Sequence, residues 1–380
     1  MWTSIRTTAE ALDDADVLAG LRLRYDIHPG LIRLDGYSGG PLPRTSPARL
    51  RRFVQHRWEP RSGRSQGESE WRREARLAAG ALAPLLGADT GEITIAESTS
   101  INLFKALVAA ARLRPDRTIL AVGRDCFPTD RCLARSAAEH IGGELVLIDD
   151  TDRLAELPMD RVAAVALSHA DLRTGAERDA AAITAEIHRH GALALWDLTH
   201  SAGALDVDLH GWNADFAIGC GYKYLGGSAT APSYSFVADR YLGGPPESRH
   251  PLAEPFAGPA AALAATELRT VLSILDGVPA GALAAKARGL VELFVEQVSE
   301  FCAEAAIEIS EPAPGTPRGA QVCLRHPKAQ RLADALSDRG VLTECADPDL
   351  LRLHFPPTWL SHVDVWHAAE QLHSALHEIS

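Results

Sequence analysis

The stretch LALWDLTHSAGALDVDLHGWNADFAIGCGYKYL, residues 193–225, contains two apolar runs that each lead into a polar residue suited to chemistry. The first run ends at Asp197, and the second leads to Lys223. Short runs that are apolar without alternation are typical of strands covered on both faces of a parallel sheet. The stretch therefore predicts two buried strands, with a carboxylate at the end of one and an amine just after the next.

Five further runs of the same kind extend this pattern along the chain. They are EITIAES (92–98), TILAVG (118–123), ELVLID (144–149), VAAVALSH (162–169) and YSFVAD (234–239). Helical patterns lie between the runs, as at residues 101–113 and 180–191. Seven strands with helical connections predict an α/β fold, in which a large domain has a seven-stranded, mainly parallel sheet.

Shifts in composition divide the chain into four predicted parts. Residues 1–45 form an N-terminal arm or part of a small domain, and residues 46–260 form the large domain. A connecting helix is predicted at 261–306, with a break near Gly277-Val278-Pro279. Residues 307–380 form a small α+β C-terminal domain.

Charge and cysteine content exclude several classes of partner. The chain has 38 Lys and Arg against 50 Asp and Glu, a net charge of −12, whereas binding nucleic acid needs clustered cations. No apolar run approaches the ~20 residues that span a bilayer, and the N-terminus does not read as a signal peptide. The six cysteines form no CxxC pair, which is typical of reduced thiols. We therefore predict a cytoplasmic protein that binds neither nucleic acid nor membrane, and no metal site.

Asp197 and Lys223 define the predicted site, because ligands of open α/β sheets bind at the carboxyl ends of the strands. Burying a carboxylate is costly unless a cation pairs with it, and a protonated pyridine nitrogen is such a cation. Partial desolvation between glycine and tyrosine residues lowers the pKa of the Lys223 amine and suits it to a Schiff base. For either residue alone, a structural ion pair is the alternative interpretation.

Hydroxyl and aromatic residues extend the predicted site. The run Glu97-Ser98-Thr99-Ser100 precedes a predicted helix, whose free N–H groups and positive dipole end suit a phosphate. An ordinary helix N-cap is the alternative interpretation. Phe127 follows another strand and is either a core residue or a ring that stacks on a flat cofactor. A phosphate cup, a strand-end aspartate and a strand-end lysine together fit few cofactors other than pyridoxal phosphate (PLP).

Residues 196–225 strongly resemble the matching stretch of the kynureninases, which are PLP-dependent enzymes of fold type I in the class V aminotransferase group. The other stretches that resemble this family, in the same order, are DGYSGGPLP (35–43), ESTSINLFKAL (97–107), CFPTD (126–130) and LLRLHFPPTWLSHVDVWHAAEQL (350–372). The resemblance implies a PLP-binding large domain and a homodimer whose active sites are shared between subunits.

The resemblance also implies a role for each matching residue. Lys223 is implied as the lysine that holds PLP and removes the Cα proton, and Asp197 as the acid that keeps the pyridine nitrogen protonated, with His200 beside it. The other residues implied at the cofactor are Thr99, Ser100 and Tyr222 at the phosphate, Phe127 on the ring, and Asp130 and Ser168 in the pocket. The residues implied in binding the amino-acid substrate are Arg352, at the α-carboxylate, Tyr37 and Ser38.

The activity that the resemblance implies is hydrolysis of the Cβ–Cγ bond of L-kynurenine or a substituted kynurenine, giving an anthranilate and L-alanine. One alternative is a divergent PLP enzyme that acts on another amino acid by elimination, epimerisation, transamination or oxidation. It rests on residues 241–260, which lack the tryptophan of the family's loop at this place. A catalytically silent PLP-binding protein is the other alternative, and the presence of both Asp197 and Lys223 argues against it.

Overall fold

The computed structural model describes residues 2–36, 39–58, 70–149, 151–243, 261–305 and 307–379. The α-helices are α1 (Trp2–Asp14), α2 (Ala19–Arg22), α3 (Ser46–Trp58), α4 (Glu70–Leu82), α5 (Thr99–Leu113), α6 (Pro128–His140), α7 (Ala180–Arg189), α8 (Ala261–Leu272), α9 (Ala282–Glu304), α10 (Ala329–Ser337) and α11 (His362–Ile379). The strands are β1 (Tyr25–Asp26), β2 (Ile32–Arg33), β3 (Leu42–Pro43), β4 (Ile93–Ile95), β5 (Ile119–Gly123), β6 (Glu144–Ile148), β7 (Val162–Ser168), β8 (Leu193–Asp197), β9 (Phe216–Cys220), β10 (Ser233–Val237), β11 (Glu308–Ile309), β12 (Gln321–Arg325), β13 (Val341–Leu342), β14 (Glu344–Asp347) and β15 (Leu350–His354).

The large sheet has seven strands in the order β4-β10-β9-β8-β7-β5-β6. Strands β6, β5, β7, β8 and β9 are parallel to one another. Strand β10 lies between β9 and β4 and is antiparallel to both. Each strand coincides with one of the seven apolar runs, so the predicted seven-stranded, mainly parallel sheet is confirmed.

The central strands are covered on both faces. In β8, Leu193 and Leu195 pack in one apolar core, whereas Ala194 and Trp196 pack in another. Every residue of β5, β7 and β9 is buried. A strand covered on both faces needs apolar residues at every position, which explains why these runs do not alternate.

The C-terminal part contains a second, antiparallel sheet in the order β11-β12-β15-β14. The N-terminal residues join this part, because β2 pairs in parallel with β13 and α1 packs against α11. The predicted connecting helix is two helices, α8 and α9, separated by residues 273–281. Gly277 lies in this break with a φ of 78°, a left-handed conformation that glycine adopts without strain.

The carboxyl ends of β7, β8 and β9 lie side by side at one edge of the large sheet. In the parallel register, Ser168 at the end of β7 is opposite Asp197 at the end of β8. Strand β9 ends at Cys220, and Lys223 follows in the next turn. The register therefore brings the predicted acid and the predicted amine to the same edge.

A helix that spans a membrane must be both long and apolar. Within the described ranges, no helix combines the necessary length with the necessary apolar character.

Candidate active site

A cavity of about 380 Å³ lies at this edge of the large sheet, and we call it the Lys223 cavity. Eight of the predicted site residues line it, namely Thr99, Ser100, Phe127, Asp130, Asp197, His200, Tyr222 and Lys223. They come from the ends of separate strands and the starts of two helices. The fold therefore brings together in one cavity residues that span more than a hundred positions of the chain.

Asp197 ends β8 and lines the cavity. Its Oδ1 accepts a hydrogen bond from the backbone N–H of Thr199 at 2.9 Å. Burial raises the pKa of the Asp197 carboxyl, and the hydrogen bond from Thr199 and the charge of Lys223 oppose this effect. Burial therefore penalises the ionised form of Asp197, and a cation bound inside the cavity would stabilise that form.

Lys223 carries a buried amine that is held by a histidine. Its Nζ lies 2.7 Å from Nε2 of His200. Only 7% of the surface of Lys223 is exposed. Burial lowers the pKa of the Lys223 amine. Burial and the charge of Lys223 also lower the pKa of His200 well below its usual range, so the imidazole is neutral. A neutral imidazole accepts from the amine and orients it, and a lowered pKa favours the nucleophilic form of the amine.

The N-terminus of α5 faces the Lys223 cavity. Ser98 is the N-cap, and its Oγ accepts from the backbone N–H of Ile101 at 3.3 Å. Thr99 Oγ1 lies 3.0 Å from Ser233 Oγ on β10. The ordinary N-cap interpretation is therefore correct for Ser98, while Thr99 and Ser100 still present hydroxyl groups and the helix N-terminus to the cavity.

Asp130 is a second acid in the cavity, in the first turn of α6. The pKa of its carboxyl is raised to about 7, mainly by burial and also by the nearby charge of Asp197, while the charge of Lys223 opposes both. Two carboxylates in one buried cavity repel each other, so one of them retains a proton.

The pKa of Asp130 predicts how the stability of the ligand-free protein changes with pH. Below about pH 4 the carboxyl is protonated in the folded and unfolded chains alike. Between this pH and about 7, the unfolded chain loses the proton and the folded chain keeps it, so the free energy of unfolding falls as pH rises. We expect Asp130→Asn to remove this decline, as measured by urea unfolding across the same pH range.

Asp149→Asn is the matched control, because this carboxylate is exposed and pairs with Arg124 outside the cavity. It should leave the pH dependence of unfolding as in the wild type. A decline that persists in Asp130→Asn would contradict the assignment to Asp130.

Two of the predicted site residues, Ser168 and Arg352, do not line the Lys223 cavity. Ser168 is buried at the end of β7 beside Asp197 but does not line the Lys223 cavity, and its Oγ has no hydrogen-bond partner within the described ranges. Arg352 lies on β15 and lines a neighbouring cavity that shares Phe127 and Leu172 with the first. Tyr37 and Ser38 lie outside the described residues, as do positions 244–260 of the predicted loop.

Two further residues lie in or beside the site, and no role was predicted for either of them from the sequence. Glu97 lines the Lys223 cavity with a φ of 61°, and left-handed backbone at a residue other than glycine is a strain typical of functional sites. The ring of His354 stacks on that of His200 at 5.7 Å, and both of its ring nitrogens are buried without a partner among the described residues. The only signal in the sequence for His354 is a histidine within the apolar run LLRLHF.

Comparison with protein families assigns two regions of the chain. Residues 96–229 match the class V aminotransferase family, and residues 283–372 match the C-terminal domain of kynureninase. The first region contains the Lys223 cavity, and the second contains Arg352.

Curated relatives match over nearly the whole chain. The kynureninase of Deinococcus radiodurans is 37% identical, and the match covers 97% of this chain and 96% of that protein. The kynureninase of Pseudomonas fluorescens is 34% identical over 97% of this chain and 94% of that protein. These relatives give no support to the alternative of a divergent enzyme with another substrate.

Solved structures match the fold. The cysteine desulfurase of Escherichia coli has a TM-score of 0.77 at 17% identity, over 95% of this chain and 98% of that chain. The cysteine desulfurase of Thermococcus onnurineus has a TM-score of 0.76 at 16% identity, over 95% and 97%. At this level of identity the likeness concerns the fold alone, and it confirms the predicted fold type I architecture.

Proposed function

The chain belongs to the kynureninase family, and on this premise we propose that it hydrolyses the Cβ–Cγ bond of L-kynurenine or a substituted kynurenine. The products are an anthranilate and L-alanine, and the cofactor is PLP. The observation that carries the proposal is the placement of Asp197 and Lys223 in one cavity at the carboxyl ends of β8 and β9. The Lys223 amine lies 2.7 Å from Nε2 of His200 and lines the cavity, where a ligand could reach it.

The residues of the Lys223 cavity fit PLP. The carboxyl group of Asp197 lines the cavity, and its ionised form would stabilise a protonated ring nitrogen. Thr199 lines the cavity, and its Oγ1 is buried without a partner in the described part of the chain, so a polar group remains for a ligand to satisfy. The N-terminus of α5 provides N–H groups for a phosphate.

We assign the contacts of PLP as follows. Lys223 would hold the cofactor, Asp197 its ring nitrogen and Phe127 one face of its ring. The residues assigned to the phosphate are Thr99, Ser100 and Tyr222. His200, Asp130 and Ser168 would complete the pocket around the ring.

PLP, when bound, supplies a protonated ring that withdraws electrons from the Cα atom of the substrate. The carboxylate of Asp197 and a protonated ring nitrogen stabilise each other, so Asp197 would keep that ring protonated. The lowered pKa of Lys223 favours its unprotonated amine, whose Nζ would take up the Cα proton. His200 is neutral and holds Nζ in position without competing for the proton.

Arg352 is the residue we assign to the α-carboxylate of the substrate. It is 4% exposed, lies on β15, and faces the cavity that adjoins the Lys223 cavity through Phe127 and Leu172. A guanidinium group donates two parallel hydrogen bonds to a carboxylate, which fixes the orientation of an amino acid.

We also propose that the protein acts in the cytoplasm as a homodimer with shared active sites. The resemblance to the family supports both statements. Among the described residues all six cysteines are free thiols, and reduced thiols are typical of cytoplasmic proteins. The amino-acid substrate is the remaining partner, and we propose none among nucleic acids or membranes.

The test is to mix the PLP-loaded protein with L-kynurenine and with 3-hydroxy-L-kynurenine. We expect release of anthranilate or hydroxyanthranilate, followed by fluorescence, with one L-alanine formed per turnover. A change in the visible spectrum on adding simple amino acids, without an aryl product from either kynurenine, would contradict the proposed substrate and leave PLP chemistry in place. The absence of any spectral response would contradict the PLP assignment itself.

A further inference from the structure

The guanidinium of Arg352 is held by a carboxylate of the same chain. The antiparallel register of β14 and β15 places Glu344 opposite Arg352, and Arg352 Nη2 donates to Glu344 Oε1 at 2.6 Å. Only 5% of the Arg352 side chain and 12% of the Glu344 side chain are exposed. A buried arginine needs a negative partner, and Glu344 provides it.

This ion pair leaves hydrogen-bonding groups unused on both sides. Nε of Arg352 and Oε2 of Glu344 are buried and have no partner within the described ranges. Nε–H and one N–H of Nη2 point from the same edge of a guanidinium and can donate in parallel to one carboxylate. Glu344 accepts a hydrogen bond from Nη2 but not from Nε. A carboxylate that accepts from both nitrogens would gain a hydrogen bond that Glu344 does not make.

The pair lies where a substrate carboxylate would arrive. Both residues line a cavity of about 550 Å³, which we call the Arg352 cavity, and it shares Phe127 and Leu172 with the Lys223 cavity. The charges of Glu344 and Arg352 both affect the pKa of the Lys223 amine. Burial is the main cause of its lowered pKa, while the charge of Glu344 raises this pKa and that of Arg352 lowers it.

We propose that Glu344 competes with the α-carboxylate of the substrate for Arg352, so that the substrate binds by exchanging one carboxylate for another. This inference rests on the proposed function, because it takes the substrate to be an α-amino acid that binds Arg352. Two carboxylates on a single buried cation would leave a net negative charge, which an environment of low dielectric constant penalises. Exchange keeps the charge balanced.

The Arg352 cavity provides room for the displaced side chain. The other charged residues that line it are Arg124, Arg131 and Arg173 and the acids Asp35, Asp125 and Asp347, so the displaced Glu344 carboxylate can lie near one of these arginines. A ligand without a carboxylate cannot replace Glu344 at the guanidinium. Glu344 therefore lowers the affinity for α-amino acids, which must displace it from Arg352, and leaves the affinity for amines without a carboxylate unchanged.

The test compares Glu344→Gln with the wild type, both loaded with PLP, by calorimetric titration. Glutamine has nearly the same shape as glutamate but no charge, so it competes less well for the guanidinium. We expect Kd for L-alanine to fall about tenfold, which corresponds to about 1.4 kcal/mol, and Kd for L-alaninamide, which has no carboxylate, to stay within about twofold. Combining Glu344→Gln with Arg352→Lys should abolish the gain for L-alanine, because the competition requires the guanidinium.

Asp347→Asn is the matched control, since this exposed residue of β14 carries the same charge. It should change Kd for L-alanine by less than about twofold, because a solvent-exposed charge is screened. If Glu344→Gln does not fold, Glu344→Asp keeps the charge with a shorter reach, and we expect an intermediate tightening. Weaker or unchanged binding of L-alanine by Glu344→Gln, or by Glu344→Asp in its place, would overturn the exchange and leave Glu344 as a residue that positions Arg352.

The kynurenine assay separates this inference from the proposed function. If the wild type releases an anthranilate while Glu344→Gln does not bind L-alanine more tightly, the exchange fails and the function stands. If no anthranilate is released but L-alanine binding tightens in Glu344→Gln, the proposed substrate fails and the exchange stands.

Discussion

Replacing Lys223 with alanine should abolish the cleavage of kynurenine and the covalent attachment of PLP. The substitution removes both the amine that we assign to the cofactor and the group that we assign to the Cα proton. Loss of a general base alone costs up to about 10⁴-fold in rate, and we expect at least this loss in kcat. The visible absorption band and the adduct trapped with borohydride should both disappear.

Lys105→Ala is the control for this experiment, since Lys105 lies on α5 near the cavity and pairs with Glu97 at 3.9 Å. Its adduct and its activity should persist, because the Lys105 amine does not line the Lys223 cavity. An adduct that persists in Lys223→Ala and maps to another lysine would refute the assignment of Lys223. Peptide mapping after borohydride reduction identifies the modified lysine.

Replacing Asp197 with asparagine should reduce kcat/KM on the order of 10³-fold, the size of loss seen when one preorganised electrostatic group is removed. The amide can still accept the hydrogen bond from Thr199 N–H, so the fold of the turn is retained. It cannot stabilise a protonated ring nitrogen, because it carries no charge. The measurement is steady-state kinetics together with a titration of PLP, whose affinity should also fall.

The ligand-free Asp197→Asn protein provides an independent check. The charge of Asp197 is one cause of the raised pKa of Asp130, after burial, so this pKa should fall in the variant. The decline in stability with pH should then end at a lower pH than in the wild type. A variant that binds PLP normally and keeps wild-type kcat/KM would exclude Asp197 as the partner of the ring nitrogen.

Most of the fold could be predicted from the sequence because its determinants are local. Strands buried on both faces require unbroken apolar runs, and the seven runs coincide with β4 to β10. The residues at the ends of these strands follow directly from the order of the chain. Asp197, Lys223 and the start of α5 were therefore predictable as neighbours of one cavity before any distance was known.

The break in the connecting segment was also predicted from the sequence. The helical pattern at 261–306 was expected to break near Gly277-Val278-Pro279, and the structure has α8 and α9 separated by residues 273–281. The position of the break was indicated by Gly277 and Pro279, since these residues favour turns. The boundaries proposed for the four parts of the chain remain predictions.

The sequence by itself determined the chemistry of this protein, and the tertiary structure decided how that chemistry is controlled. Strand-end residues are fixed by a periodic, local pattern that is visible in one chain. The pairing of Arg352 with Glu344, the stacking of His354 on His200 and the repulsion between Asp130 and Asp197 depend instead on distances between side chains of different elements. Charge and hydrogen-bonding effects vary steeply with such distances and with burial, so only the folded structure could establish them.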